Sequence, residues 1–285
     1  MKKRSTLSYL LVIALSAIVL VVLAMNIVLM YHLTSTQTEE MGRMRIEIIA
    51  SDLQKRLTDA SRSVDRVAAE IEHALAEYSD SEEIRRLLSE EKKNEIASTG
   101  RTCLNIFCVI GSDEVLISDM LAPDDYVVQD RIWYKGLMSV SKGDVYISSI
   151  YQDAFTDGVC FTAAKILGDG SSILGIDYSM SEIQAYIEKM NASEYGEAMI
   201  INRDGLIVGY SDPSLIGQRL SEENGDYRTA FMKANSQTDS DTISVQTSSG
   251  GTVFCSRTEN DWYLMLAVRN RDLYKDSYRQ LIISG

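Results

Sequence analysis

From Leu7 to Leu33 the chain carries no Asp, Glu, Lys or Arg, and that run limits its options more than anything else in the sequence. About 20 apolar residues suffice to span a bilayer as a helix, whereas a cleaved leader has an apolar core of only about 7–15. A lone uncharged stretch of this length is also too long for a helix buried inside a soluble core. The reading is an uncleaved transmembrane helix over residues 7–33. Lys2, Lys3 and Arg4 precede it. By the positive-inside rule, residues 1–6 stay in the cytoplasm and everything after about residue 34 lies outside. The localisation is therefore the cell membrane, with an N-terminal anchor and an extracytoplasmic domain.

Beyond the anchor, apolar residues recur at Ile46, Ile49, Leu53, Leu57, Val64, Val67, Ile71 and Leu75, with polar residues between them. Steps of mostly 3, 4 or 7 are those of an amphipathic helix. Neither Pro nor Gly occurs from Arg43 to Thr99. This predicts a long helix over 34–98, acting as a stalk, as the seam of a homodimer, or as a spine across two domains. The alternative is two helices broken near Tyr78–Ser81, with Ser79 or Asp80 capping the second.

After Gly100 the pattern changes to short apolar runs separated by turn residues. Strands are predicted over CLNIFCVIG, EVLIS, VYISSIYQ, GVCFTAAKIL and SILGIDYS, followed by an amphipathic helix at 181–189. A second round starts at Glu197, where apolar segments flank Asn202-Arg203-Asp204-Gly205, a strong hairpin turn. A short helix (221–234), a Ser/Thr-rich hairpin and a last strand, WYLMLAV, complete it. The stretch 272–284 looks helical. The pattern predicts an α+β chain with two antiparallel-sheet modules in tandem, in keeping with a length of 285 residues and roughly 150 per domain.

Composition removes several function classes. The net charge is −13, so the chain lacks the basic face that nucleic-acid binding requires. The two histidines, His32 and His73, have no His or Cys at metal-ligand spacing, and no phosphate loop or activated nucleophile is present. No enzyme, metal or cofactor reading has support. The cysteines Cys103, Cys108, Cys160 and Cys255 sit inside apolar segments and read first as small buried hydrophobes, although the compartment permits disulfides. Cys103 and Cys108 are five apart on a strand, which predicts opposite faces and no mutual pairing.

The chemistry concentrates in DDYVVQDRIWYKGLM and in the segments that follow it, VYISSIYQDAFTDG and GSSILGIDYS. An arginine fork suits a carboxylate, Trp supplies one donor and a flat wall, and Asp153 and Asp177 suit an ammonium. That polarity fits a small zwitterion, with aromatics excluding water. Taken singly, each residue has a structural reading as well: Arg131 as a surface ion pair with Asp130 or Asp125, Trp133 and Tyr134 as core, Asp177 as a turn cap.

In combination and order, these residues resemble the extracytoplasmic double Cache sensor domain of bacterial receptors. The pieces are Arg131-x-Trp133-Tyr134, Val145 to Asp153 (VYISSIYQD) and Gly175-Ile176-Asp177, with Asn202 to Val208 and Ser211 to Gly217 in the second module. The resemblance implies two PAS-like modules: a membrane-distal, ligand-binding one over 99–190 and a membrane-proximal one over 191–271. A C-terminal helix over 272–285 would lead back to the membrane, towards a second transmembrane helix and an output domain: a chemotaxis signalling domain, a histidine kinase or a cyclic-dinucleotide enzyme. It is closest to the amino-acid-binding subset. This implies that Arg131 and Trp133 hold a ligand carboxylate and that Asp177, with a tyrosine such as Tyr134, holds the amino group. Tyr126, Tyr151 and Asp153 are the remaining pocket positions. The function implied is a receptor sensor region that binds an L-amino acid. The alternatives are a sensor of amines or other small metabolites, or a ligand-free structural or dimerisation ectodomain.

Overall fold

The computed structural model describes residues 2–77, 80–99, 102–111, 114–123, 125–156, 158–192, 196–237, 242–248 and 250–269. Side chains of 2–14, several between 27 and 38, and Glu182 lie outside the description, as does the helix expected over 272–284.

Helix α1 runs unbroken from Lys2 to Glu77, 76 residues, or about 114 Å at 1.5 Å per residue. The uncharged run and the amphipathic stretch are thus one helix. Among the described residues no helix is long and apolar enough to cross a membrane. Only Leu15–Asn26, Val28 and Leu29 of the uncharged run have described side chains, and all are exposed.

From Ile46 onward α1 changes character. Ile46, Leu53, Leu57, Val64, Val67 and Ile71 are fully buried and form one side of the largest core. The single long helix expected over 34–98 is corrected. The chain breaks after Glu77, and a second helix, α2 (Ser81–Thr99), follows. The Asp80 carboxylate accepts the Glu82 N–H at 3.0 Å, satisfying one of the open donors at the new N-terminus. Helix α2 folds back along α1: Ile84 and Leu88 are buried, and Arg66 of α1 pairs with Glu91 and Glu95. Periodicity alone does not distinguish a continuation from a reversal, because both bury the same stripe.

Two antiparallel sheets follow. The first comprises β1 (Cys103–Ile110), β2 (Glu114–Ile117), β3 (Tyr146–Ile147), β4 (Tyr151–Gln152), β5 (Val159–Ile166) and β6 (Ile173–Ser179). Its order is β2-β1-β6-β5-β3, with β4 also on β5. The second comprises β7 (Glu197–Ile201), β8 (Ile207–Gly209), β9 (Ile243–Gln246), β10 (Gly251–Arg257) and β11 (Tyr263–Arg269), in the order β8-β7-β11-β10-β9. Leaving β4 aside, the two orders are the same. The repeated pattern in the sequence is therefore a repeated topology.

Helix α3 (Ile132–Leu137) lies on the first sheet, α4 (Ser181–Ala192) joins the modules, and α5 (Gly225–Asn235) lies on the second sheet. Each sheet is buried on both faces. One face of each contributes to the core shared with α1, α2 and α4, which includes Ile106, Ile176, Phe254 and Leu264. The opposite faces form separate cores, one with α3 and one with α5.

All four cysteines are free and buried. The expectation that Cys103 and Cys108 face opposite sides is corrected: both belong to the shared core. A bulge between Cys103 and Asn105 shifts the pairing of β1 with β6, and one extra residue inverts the alternation.

Candidate functional site

The site lies on the α3 face of the first sheet. Strand alternation selects which side chains reach it. On β1, Ile106 and Cys108 join the shared core while Phe107 and Val109 face α3. On β6, Ile173 faces α3 and Ile176 does not, so Asp177 shares the α3 face. On β5, Ala164 and Ile166 face α3, and Thr162 is on the same side.

Arg131 occupies the junction between a short 3₁₀ turn, Val128–Asp130, and α3. Its backbone is extended (φ −73°, ψ 141°), which sharply redirects the chain. The guanidinium carbon lies 5.0 Å from the Tyr126 ring centre and 5.9 Å from that of Tyr151, within cation–π range. Arg131 Nε is buried without a hydrogen-bond partner. Among the described residues Arg131 makes no ion pair, so the surface pairing with Asp130 or Asp125 is not found.

Trp133, two residues further, is buried. Its ring centre is 4.9 Å from Phe107 and 5.9 Å from Tyr134, edge-on to the latter. Tyr126 packs on Phe155 at 5.2 Å. Burial pushes the Tyr126 phenol up to about 12, opposed by the Arg131 charge and by the Trp133 indole donor. Tyr134 is half-buried at the edge of this aromatic group.

Asp177 is the buried acid of the cluster. Its Oδ1 accepts from Thr162 Oγ1 at 2.8 Å and from the Tyr151 hydroxyl at 3.1 Å. Those two hydroxyls are themselves 2.6 Å apart. Burial raises the Asp177 carboxyl to about 7. The Asp153 charge adds to the shift, while Thr162, Tyr151 and Asn105 oppose it. Burial likewise raises the phenol of Tyr151, with the charge of Asp177 adding to it.

Asp153 behaves differently. Its Oδ2 accepts from the Thr156 N–H at 3.0 Å and the Thr156 hydroxyl at 2.7 Å, so it organises its own turn. Its charge nevertheless acts on Tyr126, Cys160 and Asp177, so it lies near the cluster. All seven residues selected from sequence thus fall on one face of one sheet. Asn105 and Thr162 were missed. The signal was available: each is a lone polar residue inside an apolar strand, CLNIFCVI and VCFTAAKI.

The cluster offers an arginine with no counterion among the described residues, a buried carboxylate whose charge is disfavoured, and aromatic walls. A ligand that brings a carboxylate and an ammonium would relieve both ends. No group of residues able to hold a metal occurs among those described.

The sequence model for the Cache domain matches residues 31–277, most of the chain. The chain belongs to the Cache domain family. This Cache chain is similar in fold to the ligand-binding domain of the Campylobacter jejuni chemoreceptor Tlp3, solved in complex with 4-methylisoleucine: TM-score 0.63, 14% identity, 85% of this chain and 94% of that one covered. It is also similar to the ligand-binding domain of the Pseudomonas fluorescens chemoreceptor CtaA in complex with L-isoleucine: TM-score 0.58, 22% identity, 80% and 91% covered. At these identities the likeness is one of fold. Over 117 residues the Cache chain is 27% identical to the methyl-accepting chemotaxis protein McpA of Bacillus subtilis, which is 41% of this chain and 17% of that protein. It thus spans only a small part of the length of the curated relatives it matches.

Proposed function

We propose that this Cache chain is the extracytoplasmic sensor region of a bacterial signal-transduction receptor, and that the α3 face of its first sheet binds an L-amino acid. The observation that carries the reading is Arg131: a partly buried guanidinium with an unpaired Nε and no carboxylate partner among the described residues, in one cluster with the buried acid Asp177. An α-amino acid supplies a partner for each. In this reading Arg131 and Trp133 hold the carboxylate, and Asp177 with Tyr134 holds the ammonium. Tyr126, Tyr151 and Asp153 complete the walls. The Tlp3 and CtaA domains, solved with amino acids or their analogues, support this choice of ligand class.

A pure amine is disfavoured, because it leaves the partly buried arginine without a counterion. A ligand-free dimerisation ectodomain would give no use to either end of the cluster.

The N-terminal part of α1 fits the expected anchor. Its described side chains from Leu15 to Leu29 are exposed on every side of the helix, and a helix apolar all round belongs in a buried or lipid environment. In this reading the chain crosses the membrane over 7–33, with 1–6 in the cytoplasm, and dimerises through α1. The first sheet is then the distal module and the second the proximal one. Similarity to methyl-accepting chemotaxis proteins favours a chemotaxis output.

The test is thermal unfolding of the full chain in detergent against the protein L-amino acids and their decarboxylated amines. Ligand at 100-fold over Kd stabilises by about 2.7 kcal/mol, a shift of several degrees. The expected result is a shift with one or a few amino acids, lost in Arg131→Ala. A flat panel, or a shift with the amines alone, overturns the reading.

A further inference from the structure

Strands β1, β6 and β5 lie side by side, and Asn105, Asp177 and Thr162 are register partners across them. Asn105 is two residues before Phe107, which faces α3 and stacks on Trp133. The three polar residues therefore form one row across the floor of an otherwise apolar face. Two of them are satisfied: Asp177 accepts from the Thr162 hydroxyl and from the Tyr151 hydroxyl. Asn105 is not. It is 0% exposed, and both its Oδ1 and its Nδ2 lack a hydrogen-bond partner.

A carboxamide sealed from water with neither end bonded is rare in native proteins and calls for a partner. Asn105 lies beside Asp177 and helps hold that acid's pKa down, but neither of its side-chain atoms reaches a partner at hydrogen-bond geometry. The position suggests which partner it is. Asp177 Oδ1 is occupied by Thr162 and Tyr151, which leaves Oδ2 for a ligand. An ammonium has three N–H donors and one carboxylate oxygen takes only one of them well. The neighbouring acceptor on the floor of the pocket is Asn105 Oδ1.

We infer that Asn105 is a ligand-binding residue that accepts a hydrogen bond from the ligand's ammonium group beside Asp177, and so selects for an unsubstituted primary amine. This rests on the amino-acid reading of the same pocket and goes beyond it by naming a further binding residue and what it discriminates. N-methylation removes one of the three N–H donors and puts a methyl group where Asp177 and Asn105 meet the ammonium, and a quaternary amino acid has no donor left for Asn105.

The experiment is calorimetric titration of the full chain in detergent, wild type and Asn105→Leu, with the protein L-amino acids and their N-methyl forms, together with the melting temperature of each ligand-free protein. Leu matches Asn in size and removes the unbonded amide. The expected result has three parts. Ligand-free Asn105→Leu melts at or above wild type. Its affinity for the preferred amino acid falls about ten- to hundredfold, as for a hydrogen bond to a charged group. N-methylation weakens binding to the wild type but makes little further difference to the variant.

A variant that melts well below wild type and binds normally would make Asn105 structural and overturn the inference. So would a loss of affinity with the N-methyl penalty intact, since Asn105 would then read another part of the ligand. If the wild type binds no amino acid, the functional reading itself fails. If the wild type binds and Asn105→Leu binds equally well, only the inference fails.

Discussion

Asp177 holds its proton far more tightly than its ordinary value of 3.8 because it is fully buried, and its pKa stands at about 7. The sign of the effect on stability follows from linkage. A carboxyl raised in the folded state contributes stability that is fully present below 3.8 and is lost as pH rises through about 7. Asp177→Asn should therefore raise the ligand-free melting temperature near pH 8 and matter much less near pH 4, which a pH series of melting curves would reveal. Ligand binding has the opposite sign. An ammonium needs the ionised acid, so affinity should fall about tenfold for each pH unit below about 7. Calorimetry in buffers of different ionisation heat should then show proton release, and a flat profile would exclude Asp177 as the ammonium partner. Thr162 donates to Asp177 at 2.8 Å and holds the acid's pKa down. Thr162→Val should shift the affinity profile to higher pH while costing about 1 kcal/mol of stability.

Helix α1 works as an element because it has a different neighbour along each part of its length. Gly42 is its only glycine, and a Cβ there would run into the ring of Phe254 on β10. That close approach seats the second sheet on the helix. Gly42→Leu should destabilise the chain by about 1–3 kcal/mol, read as a lower urea midpoint. Removing the ring in Gly42→Leu, Phe254→Ala should recover less than additive loss predicts. Further along, Glu95 of α2 accepts from Ser63 of α1 at 2.9 Å and from the Tyr178 hydroxyl of β6 at 3.0 Å, and it pairs with Arg66. Tyr178 adjoins Asp177 on the opposite face of β6, so the strand that carries the acid is bolted to both helices. Tyr178→Phe should cost about 1 kcal/mol, since Glu95 keeps two donors. The stripe from Ile46 to Leu75 was legible as a helix face. That α1 and α2 are separate helices was legible only as one of two options, because the reversal depends on where α2 finds β1 and β2.

Across the whole molecule, the shared core is continuous from the first sheet to the second. Phe161 of β5 meets Trp262, just before β11, at 5.7 Å between ring centres. Asn202, in the β7–β8 turn, donates to Ser149 at 3.0 Å. Ser149 follows Ser148, whose hydroxyl accepts the Thr162 N–H at 2.9 Å. The pocket strand, its flanking loop and the second module are thus physically joined. Scanning calorimetry of the full chain should show one cooperative transition, displaced as a whole by ligand; two transitions with only one displaced would mean that the modules unfold independently. The α+β class, the two rounds of strands and the hairpin turns were all set by the sequence, because they depend on local periodicity and turn chemistry; the seven candidate residues were chosen from residue type and order along the chain. Tertiary structure decided the rest. The folding back of α2, the bulge that turns Cys103 onto the same face as Cys108, and the convergence of Asn105, Thr162 and Asp177 depend on which strands pair and in what register. Strand register is fixed by contacts between residues far apart in the chain, and no local pattern encodes it.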